Sequence, residues 1–163
     1  MSKSLPPAVS APQPGDCNCL AVRQAARHVT QFYDQYLAPT GLRSTQFSIL
    51  AKLQRHGPVS INVLADQLVM DRTTLGRTML PLVRDGLIIL QGAAADRRSK
   101  ELRLTRAGAD RLRAARRLWN DAQQRFDAAF GRKRASVLRS ELGALAATRL
   151  AVEADRNLRT MPA

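Results

Sequence analysis

DRTTLGRTMLPLVRDGLI, residues 71–88, reads as a capped helix with two unlike faces. Asp71 is a residue that accepts hydrogen bonds from the free N–H groups at a helix start. With a step of about 100° per residue from Arg72 onward, Leu75, Met79, Leu82 and Val83 fall on one side, and Thr73, Thr74 and Arg77 fall on the other. The first side needs a core. The second has no apolar surface to hide and offers hydroxyls, methyls and a guanidinium to something outside the chain. Asp85-Gly86 ends the helix. Pro81 removes one backbone donor inside it and should bend it or mark its last straight turn, which leaves the direction of Arg84 open.

Working outward, Ser60 caps a short helix in which Leu64, Ala65 and Leu68 share a side, and Val69-Met70 makes the turn into the quoted helix. After Gly86 come LIIL (87–90) and ELRL (101–104), two short β-rich runs around a polar loop containing Gly92. Helix, tight turn, helix and hairpin, in that order, predict a winged helix-turn-helix over about residues 42–104. Upstream, Ser44 is placed to cap a helix from Thr45 to Arg55 that shows Phe47, Leu50, Ala51 and Leu53 to a core before His56-Gly57-Pro58 stops it. An earlier helix, about 18–37, carries Val22, Ala25, Val29, Phe32 and Tyr36 on one stripe and ends at Pro39 and Gly41. Downstream, Thr105 caps a long helix bearing Leu112, Ala115, Trp119, Ala122, Phe126 and Ala129. Gly131 interrupts it, and a last helix from about Ser136 carries Leu138, Leu142, Leu145 and Val152. Residues 1–16 hold four of the eight prolines and read as a disordered tail.

The expected fold is therefore mainly α (α+β), a single domain over 17–163. A winged helix-turn-helix sits in the middle, and helices from both ends of the chain (about 18–37 and 105–160) form a dimerisation subdomain. Those end helices have apolar stripes that a middle segment of about 60 residues has little room to bury, so they predict packing with a second chain.

Lys and Arg number 26 against 13 acidic residues, a formal charge of +13. Thirteen of those cations lie between Arg97 and Arg134, where only Glu101, Asp110, Asp121 and Asp127 oppose them. Such an excess favours a polyanionic partner, with double-stranded DNA first, although part of it reads equally well as solvated helix face. In the hairpin loop, Arg97, Arg98 and Lys100 cluster at the tip of a protrusion, where a guanidinium can enter a narrow minor groove; Asp96 can hold the loop by pairing with an arginine. A charged tip that merely discourages edge pairing is the alternative. No apolar run is long enough to span a membrane and no secretory h-region follows Lys3, which predicts a cytoplasmic protein without a membrane partner. The sequence has no glycine-rich phosphate loop, no metal-spaced histidine pair and no nucleophile set beside a His and an acid, so neither catalysis nor a cofactor is expected. His28 and His56 read as packing or capping residues.

DRRSKELRLTRAG (96–108) matches the pattern D-x-R-S-x-x-x-x-L-T-x-x-G, and together with LADQLVMDRTTLGRTMLPLVRDGLI (64–88) it resembles the MarR family of bacterial transcription regulators. The resemblance runs from Cys19 to about Arg159. It implies a symmetric homodimer, recognition helices in successive major grooves, Arg98 as the minor-groove residue of the wing, repression of genes, and release by small phenolic or other lipophilic effectors. CNCLAVRQAARHVTQFY (17–33) further resembles the start of the organic hydroperoxide sensors of that family, in which a cysteine opens the first helix and a tyrosine follows fourteen residues later, as Cys19 and Tyr33 do here. Two other tyrosines of those sensors are replaced by Arg23 and Ser44. Helix N-termini favour thiolates, which peroxides oxidise first to sulfenic acids. Three readings of Cys17 and Cys19 stand side by side: small residues at a helix start, redox sensors, or, with His28 and a missing fourth ligand, a metal site. For the whole chain the alternative function is a basic protein that binds nucleic acid without regard to sequence. Its poverty in aromatic residues, 4%, leaves little to stack on unpaired bases.

Overall fold

The computed structural model describes residues 15, 17–92 and 100–148. They form six α-helices and three short strands in the order α1 (Asn18–Leu37), α2 (Ser44–His56), β1 (Val59–Ser60), α3 (Ile61–Leu68), α4 (Arg72–Arg84), β2 (Ile88–Gly92), β3 (Lys100–Leu104), α5 (Arg106–Phe130) and α6 (Arg132–Ala147). The strands make one antiparallel sheet in the order β1-β3-β2. This is a winged helix-turn-helix set among long helices, the mainly α architecture expected from the sequence. The expected N-terminal tail, Gly15 apart, lies outside the described residues, as does Val152.

Two units divide after Gln123. The core of the first is built from Leu37 of α1, Phe47, Ile49, Leu50 and Leu53 of α2, Leu64 and Ala65 of α3, Leu75, Met79 and Leu82 of α4, Ile88 and Leu102 of the sheet, and Leu112 and Ala115 of α5. Phe47 stacks on Trp119 with ring centroids 5.7 Å apart, joining α2 to α5. In the second unit the end of α5 and α6 meet around Gly131, whose φ of 94° lets the chain turn. There Phe126 lies against Phe130, the Arg134 guanidinium sits 4.4 Å over the Phe130 ring, and Arg139 faces Asp127. The last helix starts at Arg132, four residues before the expected Ser136, because residues 132–135 are good helix formers with nothing to delay the restart after Gly131.

Local chemistry explains most of the boundaries. Ser60 Oγ accepts from the Val63 N–H at 3.3 Å and starts α3. Asp71 Oδ1 accepts from the Thr74 N–H at 2.8 Å and starts α4. Thr105 Oγ1 accepts from the Gly108 N–H at 3.0 Å and starts α5. At α2 the expected cap is corrected. Ser44 is the first helical residue, not the cap; its N–H donates to Asp34 Oδ1 of α1 at 2.6 Å, and Gln46 Oε1 accepts from the N–H of the true cap, Arg43. Asp34 is ten residues upstream, beyond the reach of any local capping rule. Strand β1 was likewise not expected. Two residues have no strand pattern of their own, and only pairing with Leu102 and Glu101 of β3 makes them one.

Candidate nucleic-acid interface

Helix α4 holds the two faces that its sequence implies. Leu75, Met79 and Leu82 are buried, and Thr73, Thr74 and Arg77 are exposed. Val83, expected in the core, is 45% exposed; it sits at the flank of the apolar arc, where Leu82 already fills the contact. Pro81 does not end the helix, which continues one turn to Arg84, where the Arg84 Nε meets Asp85 Oδ1 at 2.9 Å. Arg84 has the helical phase of Thr73 and Arg77, and the acidic neighbour partly offsets its charge.

The N-terminal end of α4 is electrostatically composite. Unpaired N–H groups at a helix start attract anions. Asp71 occupies that position, and hydrogen bonds from the Thr74 side chain first, then from backbone N–H groups, hold its carboxyl below the usual carboxylate range. An anion approaching α4 therefore meets the outer strip, Thr73 and Arg77, more favourably than the cap itself.

The turn before α4 is strained. Met70 N–H donates to Ala65 O and Val69 N–H to Asp66 O, the paired bonds of a Schellman cap, and the left-handed position is taken by Val69 (φ 52°, ψ 46°). The same motif ends α4, where Leu87 N–H bonds Leu82 O and Gly86 N–H bonds Val83 O, but there the left-handed residue is Gly86, which has no Cβ to object.

The hairpin stands beside this helix pair. Its register runs Ile88 to Leu104, Leu90 to Leu102 and Gly92 to Lys100, so Ile88, Leu90, Leu102 and Leu104 share one sheet face. Lys100, exposed, opens β3. Asp96, Arg97 and Arg98 fall in 93–99, outside the described residues. The hairpin is anchored where it returns to α5. Thr105 donates its hydroxyl to Gly86 O at 2.7 Å and its N–H to Leu87 O at 3.1 Å, and a Cβ on Gly108 would stand 2.1 Å from Leu87 O. The L-T-x-x-G end of the motif is thus a close backbone crossing that fixes the base of the wing against the end of α4.

Part of the charge excess on α5 is spent within the fold. Arg111 donates to Thr40 O at 2.7 Å, Arg116 to Gln54 Oε1 at 2.9 Å, and Arg113 pairs with Asp110 at 3.1 Å. The first two bonds hold α5 to the chain segments it crosses and the third lies along α5 itself, which the composition alone does not reveal.

At the other candidate site, Cys17 is the cap of α1 and its Sγ accepts from the Leu20 N–H at 3.4 Å; Cys19 follows in the first turn, and both thiols are exposed. The Tyr33 hydroxyl bonds Gln123 of α5. Fourteen residues of continuous helix put Cys19 and Tyr33 about 21 Å apart along the axis, so one chain does not bring them together. His28 and His56 are exposed, not packed, and among the described residues no three of His, Cys, Asp and Glu gather closely enough to hold a metal ion. One exposed residue of α4 had no role in the sequence reading: Leu80, 65% exposed, on the same side as Thr73 and Arg77. Its helical phase was the available signal, since it falls outside the apolar arc.

Comparison with known proteins agrees with this geometry. Residues 42–100 match the model of the MarR family. The chain is similar to the solved structure of the M. tuberculosis transcriptional regulator MosR (34% identity, TM-score 0.66, covering 80% of this chain and 97% of that one). It is similar also to MosR in complex with DNA (36% identity, TM-score 0.67, the same coverage). The transcriptional repressor CouR bound to a 23-mer DNA duplex aligns over 81% of this chain and 94% of its own at 26% identity and TM-score 0.74. No curated protein sequence matches the chain.

Proposed function

The chain belongs to the MarR family, and from that premise we propose that it is a dimeric DNA-binding transcription regulator that represses from a pseudo-palindromic operator and lets go when an effector or an oxidant reaches it. The observation that carries this reading is the outer face of α4: Thr73, Thr74 and Arg77 stand exposed above a buried Leu75, Met79 and Leu82, beside a hairpin whose base is locked by Thr105 and Gly108. Thr hydroxyls and methyls suit base edges, and Arg77 is able to make a bidentate contact to guanine. Lys100, with Arg97 and Arg98, supplies the wing's contacts to minor groove and phosphate, and Asp96 structures the loop. The DNA complexes of MosR and CouR support the partner.

Dimerisation is supported by apolar residues left uncovered on the helices of both ends, Leu20 and Val22 of α1 and Val137, Leu142 and Leu145 of α6. The trigger is a small phenolic or lipophilic molecule, or oxidation of the exposed thiols Cys17 and Cys19; Tyr33, bonded to Gln123 toward the far end of α1, would have to come from a second chain to meet them. Among the described residues no helix is long and apolar enough to cross a membrane; a cytoplasmic location follows from the proposed DNA partner.

Selecting bound duplexes from a random pool tests the reading. The selected site is a two-fold repeat. Arg77→Ala weakens binding to it by about 1–3 kcal/mol and relaxes one base preference, whereas Arg97→Ala weakens all sequences alike and lowers the salt slope by about one unit. Full affinity in the Arg77→Ala protein, or random duplex competing as well as the selected one, sinks it. Organic peroxide added to the complex, with Cys19→Ser alongside, separates the two triggers.

A further inference from the structure

Two features of α4 are unexplained by the fold. Gly76 lies inside the helix, where glycine is less favourable than alanine, yet a Cβ built on it meets nothing within 4 Å. Leu80, one turn further on, is 65% exposed although it is large and apolar. The two share a side of the helix with Thr73 and Arg77. Helical side chains lean toward the N-terminus, so Leu80 leans over the turn of Gly76, where the space a Cβ would take is open. A large apolar side chain next to a position with no side chain gives a shallow apolar notch, as read from these two residues, on a strip otherwise made of Thr73 and Arg77.

We propose that this notch is a thymine reader: the C5-methyl of one thymine per half-site seats against Leu80, over the bare Cα of Gly76. The methyl is the only apolar group that a base pair presents in the major groove. An apolar protein partner would have to cover Arg77 and the hydroxyls that flank the notch, whereas a duplex satisfies those groups while filling it. This inference rests on α4 entering the major groove, as proposed above, and adds a base identity to it.

The test replaces each thymine of the selected duplex, one at a time, with deoxyuracil, which removes only the methyl. The native protein loses about four-fold in affinity for each half-site at one symmetry-related position, the worth of one buried methyl. Leu80→Ala binds the thymine duplex several-fold more weakly and no longer distinguishes it from the uracil duplex at that position. Gly76→Ala melts at a higher temperature than the native protein but fills the notch, and it too loses the discrimination. A native protein indifferent to every substitution, or a Leu80→Ala protein that still distinguishes the two duplexes, overturns the proposal. If Arg77→Ala also binds with full affinity, the groove assignment itself has failed; if Arg77→Ala is weakened while Leu80→Ala is not, only the notch has.

Discussion

Gly108 and Gly76 lie in helices on either side of the wing, and they are glycines for opposite reasons. At Gly108 the chain itself excludes a side chain: a Cβ would stand 2.1 Å from Leu87 O and 2.8 Å from a Leu104 methyl. At Gly76 the chain excludes nothing. The first glycine belongs to a crossing that the fold must make, between the end of α4 and the start of α5. The second is locally unfavourable with no internal return, and such a position points to something outside the chain.

The contrast breaks most visibly at Gly108. Gly108→Ala forces a methyl into a backbone carbonyl already held by the Thr105 N–H, and the loss of stability is about 3 kcal/mol or more, read from urea unfolding. Wild-type stability in that variant would mean that the crossing is loose. Thr105→Val keeps the shape but removes the α5 cap and the bond to Gly86 O, and loses about 1–2 kcal/mol. Gly76→Ala runs the other way, gaining about 1 kcal/mol in the same assay; a loss would show that the helix needs its glycine after all. Val69→Gly relieves a left-handed valine whose side chain is 75% exposed, and gains about 0.5–1 kcal/mol; an unchanged midpoint would mean that Val69 is not strained. The smallest effect appears only in acid. Because the Asp71 carboxyl is held below its unfolded value of about 4, its contribution is complete above that pH and fades as the pH falls through the folded value. Melting temperatures of the native protein and of Asp71→Asn therefore differ by a constant amount near neutrality and converge only below about pH 4.

What the sequence made legible is the chemistry that acts within four residues. The caps at Ser60, Asp71 and Thr105 each bond a backbone N–H three positions on, and the two faces of α4 follow from its helical period. What it hid acts at longer range. Asp34 reaches from α1 to the start of α2, β1 exists only because β3 lies beside it, and Arg111 and Arg116 spend their charge on other elements. Val83 failed for a different reason. A helix phase assigns residues to an arc, but how much of that arc the neighbours cover is decided by packing, and at the end of α4 the cover stops at Leu82. Leu80 is the opposite case, since its helical phase does put it outside the arc and its exposure follows from that phase.

Ser60 closes β1 and caps α3, so one residue serves both as the last link of the sheet and as the first bond of a helix. Its pairing with Glu101 ties the second residue of β3 directly to the foot of α3. Sheet and helix-turn-helix thus share a residue, and a substitution at Ser60 would disturb the edge of the one and the start of the other together.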